Sequence, residues 1–342
     1  MIVLITGSCG LIGSEAVKFY CESGHTVIGI DNNAREYYFG KLGSTKWMEN
    51  VLSTNYSNFT NHSVDIRDFE SLERLFKDND FDLIIHCAAQ PSHDKAADFP
   101  LVDFSVNATG TLNLLELTRL HCPNAVFIYM STNKVYGDAP NEIEFIETET
   151  RYDIPFNGSF DENTRIDQST HSIFGVGKLA GDLMTQEYGK YFGLKTGTFR
   201  GGCLTGPAHS GVQLHGFLSY LIKCAMSNQK YTIFGYKGKQ VRDNIHSKDV
   251  CMAFEEFRKN PRPGEVYNLG GGRANSISML EAIEKIYNMT GKQLDYQMED
   301  TTRRGDHQCY VSDLSKFKSH YPNWDVTISL DDIFKEIIDA SV

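Results

Sequence analysis

One short segment restricts the folds open to this chain more than any other. Residues 2–14 read IVLITGSCGLIGS, an apolar run that breaks at Gly7 and resumes as a helical pattern. Gly7, Gly10 and Gly13 form a G-x-x-G-x-x-G array directly after the run. The segments that follow keep the same rhythm. TVIGID (26–31), DLIIHCAA (82–89) and AVFIYMS (125–131) are almost wholly apolar, as strands covered on both faces must be. Between them LIGSEAVKFYCESG (11–24), DFESLERLFKD (68–78) and NATGTLNLLELTRL (107–120) carry apolar residues at helical spacing. Alternation of this kind specifies an α/β fold with a doubly wound parallel sheet of the Rossmann type.

Within such a sheet the glycines acquire a chemical meaning. The first two let the chain turn tightly and approach a pyrophosphate. The third lets helix and strand close together, and the helix N-terminus offers free N–H groups and a positive dipole end. Asp31 closes the second strand, where a carboxylate accepts hydrogen bonds from an adenosine ribose and repels a 2′-phosphate. Asn32 follows it and Arg35 stands nearby. NAD rather than NADP is the expected cofactor.

Two stretches interrupt the alternation. Residues 34–60 are an insertion rich in Tyr, Asn and Ser, and residues 138–170 are a long polar excursion. Their aromatic content predicts ordered rather than disordered loops. The alternation loosens after GLKTGTFR (193–200), with helices expected near 211–227, 247–259, 278–290 and 330–340. A division follows: residues 1–200 as the NAD-binding domain, with some later chain returning to it, and 201–342 mainly as a smaller substrate-binding lobe.

The net charge of −11 argues against nucleic-acid or membrane-surface partners, which call for a basic face. The eight cysteines are scattered without a C-x-x-C pair, so reduced thiols and no metal site are expected. The chain enters a strand within two residues of Met1 and has no long apolar run. A cytoplasmic protein is therefore expected.

Further motifs run in one order along nearly the whole chain: VDIRD (64–68), HCAAQ (86–90), NATGT (107–111), STNKVYGD (131–138), F-x-x-x-K (174–178), KGKQVRDNIHSKD (237–249), YNLGGG (267–272) and RRGD (303–306). With the glycine loop, they identify the chain as resembling the extended short-chain dehydrogenase/reductases that act as NAD-dependent nucleotide-sugar epimerases and dehydratases. Within that family, STNKVYGD, ETETRY, FDENTRID and GKQVRD are most similar to the CDP-paratose (CDP-tyvelose) 2-epimerases.

The resemblance implies a cofactor site made of Gly7, Gly10, Leu11, Ile12, Gly13, Asp31, Asn32, Asp65, Ile66, Ala88, Ala89, Gln90, Asn107 and Lys178. It implies that Ser92, Asn133, Lys134, Arg242, Arg303 and Asp306 meet a nucleotide-diphosphate sugar, the two arginines gripping its phosphates. A guanidinium fork suits that task because it matches phosphate oxygens bidentately and stays charged. Helices 107–120 and 174–192 would build a homodimer or tetramer.

In the family reaction a tyrosine takes the hydroxyl proton while hydride leaves the sugar carbon, and a Ser or Thr shares the hydrogen bond. Thr132 holds the second position and Lys178 the lysine position, but Phe174 stands where the tyrosine belongs. Phenylalanine has no proton to exchange. Tyr136, His171 or Lys134 is the nearest candidate substitute. The alternatives are slow turnover with permanently held cofactor, a deliberate replacement, and a silent nucleotide-sugar or NAD-binding protein. A 4-epimerase, a dehydrogenase and a dehydratase also remain open. Asn133 and Lys134 stand where a dehydratase would carry its Asp-Glu pair, which counts against the last.

Overall fold

Valine, isoleucine and leucine alternate their faces along the first strand, and that alternation sets the layering. Val3 and Ile5 join one hydrophobic cluster while Leu4 joins another on the opposite side of the sheet. The computed structural model describes residues 1–212, 216–302 and 305–341. Seven parallel strands form its main sheet: β1 (Ile2–Thr6), β2 (Thr26–Ile30), β3 (Phe59–His62), β4 (Leu83–His86), β5 (Val126–Thr132), β6 (Lys195–Gly201) and β7 (Glu265–Leu269). They lie in the order 7-6-5-4-1-2-3. The chain reverses its direction of travel between β1 and β4, and a crevice opens beyond the C-terminal ends of those two strands.

Helices cover both faces. On one side lie Leu11–Glu22 and Ser247–Lys259, burying Ala16, Val17, Val250 and Phe254. On the other lie Phe69–Asp78 and Gly110–His121, burying Leu72, Phe76, Leu114 and Leu117. The helix Ile173–Lys190 crosses on this second side and carries Phe174 and Lys178 one turn apart.

The insertion 34–60 is ordered as the helices Ala34–Phe39 and Lys46–Asn55 followed by β3. Met48 and Leu52, four residues apart, anchor the second of these helices in the core. The excursion 138–170 is held by a two-residue antiparallel pair, Ile146–Glu147 with Tyr152–Asp153. It is also tied to the C-terminal part of the chain, where the Phe160 amide donates to the Val311 carbonyl at 2.8 Å.

After residue 200 the chain divides its material. EVYNL (265–269) becomes β7, and helix Ser247–Lys259 packs on the main sheet. The helices Phe217–Ser227, Met279–Thr290 and Leu330–Asp339 share a separate core that includes Leu221, Ile286 and Phe334. YTIF and YQME pair there as a parallel ribbon. Among the described residues no helix is long and apolar enough to cross a membrane.

Candidate nucleotide and sugar site

Gly7 leaves β1 with φ of 67°, a left-handed conformation, and its amide donates to the Ile30 carbonyl at 2.7 Å. A Cβ there would come within 2.8 Å of the Ala88 nitrogen, and one at Gly13 within 2.0 Å of the Gly7 carbonyl oxygen. Both positions therefore require glycine for close approach. The helix that follows has Gly10 as its N-cap, with no side-chain cap and no acidic residue in its first turn. Its N–H groups stay uncapped by side chains at the floor of a cavity of about 790 Å³ lined by Gly7, Gly10, Leu11, Ile12 and Gly13. An uncapped helix start with no acidic residue in its first turn fits a dinucleotide pyrophosphate.

At one end of the cavity Asp31 is fixed by two backbone donors, Cys9 N at 3.0 Å and Asn33 N at 2.8 Å. Burial raises its pKa and those two donors oppose the rise. Asn32, Asp65 and Ile66 line the same end. Arg67 holds Asp65 through Nε at 2.9 Å and Nη2 at 2.6 Å, which keeps that carboxyl below its ordinary range. Arg35 donates to the carbonyls of Ser210 at 2.8 Å and Gly43 at 3.3 Å, and Trp47 Nε1 reaches Ser210 Oγ at 3.1 Å. The insertion is thus tied to the loop around Ser210.

Ala88 and Ala89 line the wall of the cavity. The side chains of Gln90, Ser92 and Asn107 were expected against ligand and lie behind that wall instead, wholly buried. Asn107 clamps the Gln90 backbone, accepting from its amide at 3.1 Å and donating to its carbonyl at 3.1 Å. Gln90 in turn binds the Ser92 backbone through both ends of its amide. Both Gln90 and Asn107 donate to Asp103 Oδ1, at 2.8 and 3.1 Å. Burial pushes the Asp103 carboxyl up to about 6 against these hydrogen bonds. Backbone polar groups of a wall loop must be satisfied somewhere, and here the buried side chains of Asn107 and Gln90 satisfy them, with Asp103 holding both amides.

Midway along the cavity Thr132, Phe174 and Lys178 come together. Lys178 Nζ donates to the Met130 carbonyl at 2.7 Å and sits 4.2 Å from the centroid of the Tyr129 ring. Burial lowers its pKa to about 8. The Thr132 side chain accepts weakly from the Lys134 amide at 3.3 Å.

Tyr136, one of the three candidate substitutes for the missing phenol, is elsewhere. It is 0% exposed, donates to Asn268 Oδ1 at 2.7 Å and accepts from Arg200 Nη1 at 3.1 Å. Burial pushes its hydroxyl up to about 12. The ring turned inward because this buried network needs its oxygen, so Tyr136 has no path to a sugar proton. His171 does not line the cavity; its ring nitrogens approach the carbonyls of Ser169 at 3.0 Å and Val135 at 2.7 Å.

At the far end Asn133, Lys134, Arg242 and Asp306 line the cavity. Arg242 Nη2 meets Asp306 Oδ1 at 2.6 Å and Lys134 Nζ meets the same oxygen at 3.3 Å. Two cations around one carboxylate leave a net positive end, suited to a diphosphate. Arg303 lies outside the described residues. Reading the sequence alone missed His93, whose ring faces Phe174, and the buried pair Asp182–Arg200. Neither belongs to a local motif that spacing could reveal.

The family model described as the NAD dependent epimerase/dehydratase family matches residues 3–270. The chain is 33% identical to the CDP-paratose 2-epimerase of Salmonella typhi, with 99% of this chain and 98% of that protein covered. It is 27% identical to the UDP-glucuronate 4-epimerase of Thermodesulfobacterium geofontis, with 99% and 95% covered. Among solved structures, the UDP-glucuronic acid 4-epimerase from Bacillus cereus in complex with UDP-glucuronic acid and NAD is similar with a TM-score of 0.82 at 26% identity. That likeness covers 100% of this chain and 99% of the other.

Proposed function

The chain belongs to the NAD dependent epimerase/dehydratase family, and from that premise we propose that it interconverts epimers of a nucleotide-diphosphate sugar through transient oxidation to a keto-sugar. One observation carries the proposal. A single cavity runs from Asp31 past the uncapped helix start to Thr132 and Lys178, and on to the Lys134–Arg242–Asp306 cluster. The similarity to CDP-paratose 2-epimerase supports a CDP-linked substrate oxidised at C2.

NAD supplies the hydride acceptor and donor. Thr132 hydrogen-bonds the reacting hydroxyl. Lys178 holds the nicotinamide ribose, and its ammonium lowers the cost of the oxyanion that forms as the hydroxyl proton leaves. Arg242 and Lys134 grip the diphosphate, which must compete with Asp306 for them. Replacing Arg242 by methionine is expected to raise KM roughly 10- to 100-fold, as loss of a charged hydrogen bond worth ~1.5–3 kcal/mol requires, and to change kcat far less. Steady-state kinetics on the variant checks this.

One observation favours a second reading, a nucleotide-sugar-binding protein without turnover: Phe174 brings no proton and Tyr136 is buried. Incubating the full chain with CDP- and UDP-linked hexoses, followed by NMR of the sugar protons, separates the two. A second epimer is expected. Binding of these compounds with no conversion of any would leave only the second reading.

The exposed apolar residues Leu112, Leu120, Val176 and Leu183 on helices Gly110–His121 and Ile173–Lys190 support a two-fold helix pairing between copies. Light scattering is expected to give twice the mass of one chain or more, and a monomer at micromolar concentration would contradict the pairing.

A further inference from the structure

We infer that His93 is the acid/base of the reaction, standing in for the hydroxyl that Phe174 lacks; the inference rests on the epimerase reading above. Oxidation of a secondary alcohol breaks two bonds. The C–H pair leaves as hydride to NAD, and the O–H proton must pass to a base while C=O forms. The return step delivers hydride to the opposite face of the carbon and the same proton to oxygen. A neutral imidazole can accept that proton, hold it while the keto-sugar turns, and give it back, so the cycle closes with no other reactant.

The position of His93 matches this task. It opens the short helix His93–Asp98, whose start is fixed by Ser92 as N-cap. Its ring centroid lies 5.0 Å from that of Phe174 at an interplanar angle of 47°. It is half-buried and lines the cavity. Its Nδ1 is 3.7 Å from the point where a Cβ on Gly305 would lie. The Gly305 carbonyl accepts from Lys134 Nζ at 3.1 Å, and the next residue is Asp306. The imidazole therefore sits between the ring that replaced the tyrosine and the cluster expected at the diphosphate, where the sugar must lie.

Other titratable groups at this part of the cavity are less suited. Burial pushes the thiols of Cys87 and Cys203 up to about 12. Lys134 and Arg242 are held to Asp306, and Lys178 donates to Met130. His209, which lines the cavity near Ser210, has its pKa lowered to about 3 by burial.

The test uses the full chain with NAD. His93→Gln and His93→Ala are expected to melt like the parent and to lose about 10²–10⁴-fold in kcat, the span of general acid/base catalysis. Added imidazole is expected to restore part of the His93→Ala rate, which it would not do for a packing defect. A readout independent of turnover is the NMR signal of the His93 ring, assigned by its disappearance in His93→Gln. It is expected to shift when a saturating CDP- or UDP-hexose is added. Wild-type-like kcat in His93→Gln, or a ring signal unmoved by a nucleotide sugar that binds, overturns the role of His93 and leaves the epimerase reading standing. Failure of the parent protein to bind or convert any nucleotide sugar overturns the epimerase reading itself, and His93 with it.

Discussion

Replacing Lys178 by methionine is expected to lower kcat on the order of 10²–10³-fold, because it removes a buried cation that lines the cavity with Thr132 and Phe174. The ammonium is held in place by the Met130 carbonyl and the Tyr129 ring face. Methionine can fill the channel without either attraction, so the fold should survive and the loss should appear in the rate. The same residue predicts a pH dependence. Burial brings the Lys178 pKa down to about 8, with Cys87, Asp182 and Asp103 pulling the other way. The amine loses its proton as pH rises through that value, so the field that favours the oxyanion fades. Turnover of the parent protein should fall above about pH 8, and the Lys178→Met variant should lack that limb. Rate–pH profiles of the two proteins check both statements.

The largest stability effect is expected at a site that touches no ligand. Asp182 on helix Ile173–Lys190 and Arg200 on β6 form a pair that is 0% and 2% exposed, with Arg200 donating through Nη2 at 2.9 Å and Nε at 3.0 Å. Ser131 adds a third donor at 2.6 Å and Gln186 a fourth at 2.7 Å. Arg200 also donates to Tyr136, which donates to Asn268. Burial alone would drive the Arg200 charge off, and the Asp182 carboxylate outweighs it, so the pKa rises. Removing one member leaves the other charged and buried. Asp182→Ala is therefore expected to cost ~3–5 kcal/mol, and Asp182→Leu combined with Arg200→Met much less than the sum of the single changes. Urea unfolding of the parent, the single variants and the double variant measures this. Because Ser131 precedes Thr132, the single change should also lower kcat.

These two sites show where local pattern carries information and where it ends. The parallel sheet and the glycine turn were legible because each depends on periodicity or on spacing within a few residues, whereas Asp65, Ala88 and Lys178 were reached only through the resemblance of their motifs to a family. The edge strand β3, with sequence FTNH, was not, since its half-exposed polar residues break the apolar signature of the inner strands. Helix Lys46–Asn55 was hidden for a similar reason: among its ten residues Met48 and Leu52 alone are buried. The role of Tyr136 depends on Asn268, which is 132 residues away. Proximity in sequence made Tyr136 a candidate base, and tertiary packing removed it. His93 and Phe174 meet across 81 positions of sequence through a contact between two helices that no spacing rule connects.

The central claim is transient oxidation at a sugar carbon with hydride returned to the same carbon. Turnover of a CDP- or UDP-linked sugar in deuterated water tests it most directly, with mass and NMR analysis of the product carbons and absorbance followed at the band of reduced nicotinamide. The expected result is an epimer with hydrogen, not solvent deuterium, at the inverted carbon, together with transient absorbance from reduced cofactor. Solvent deuterium at that carbon, or inversion without any reduced cofactor, would contradict the mechanism.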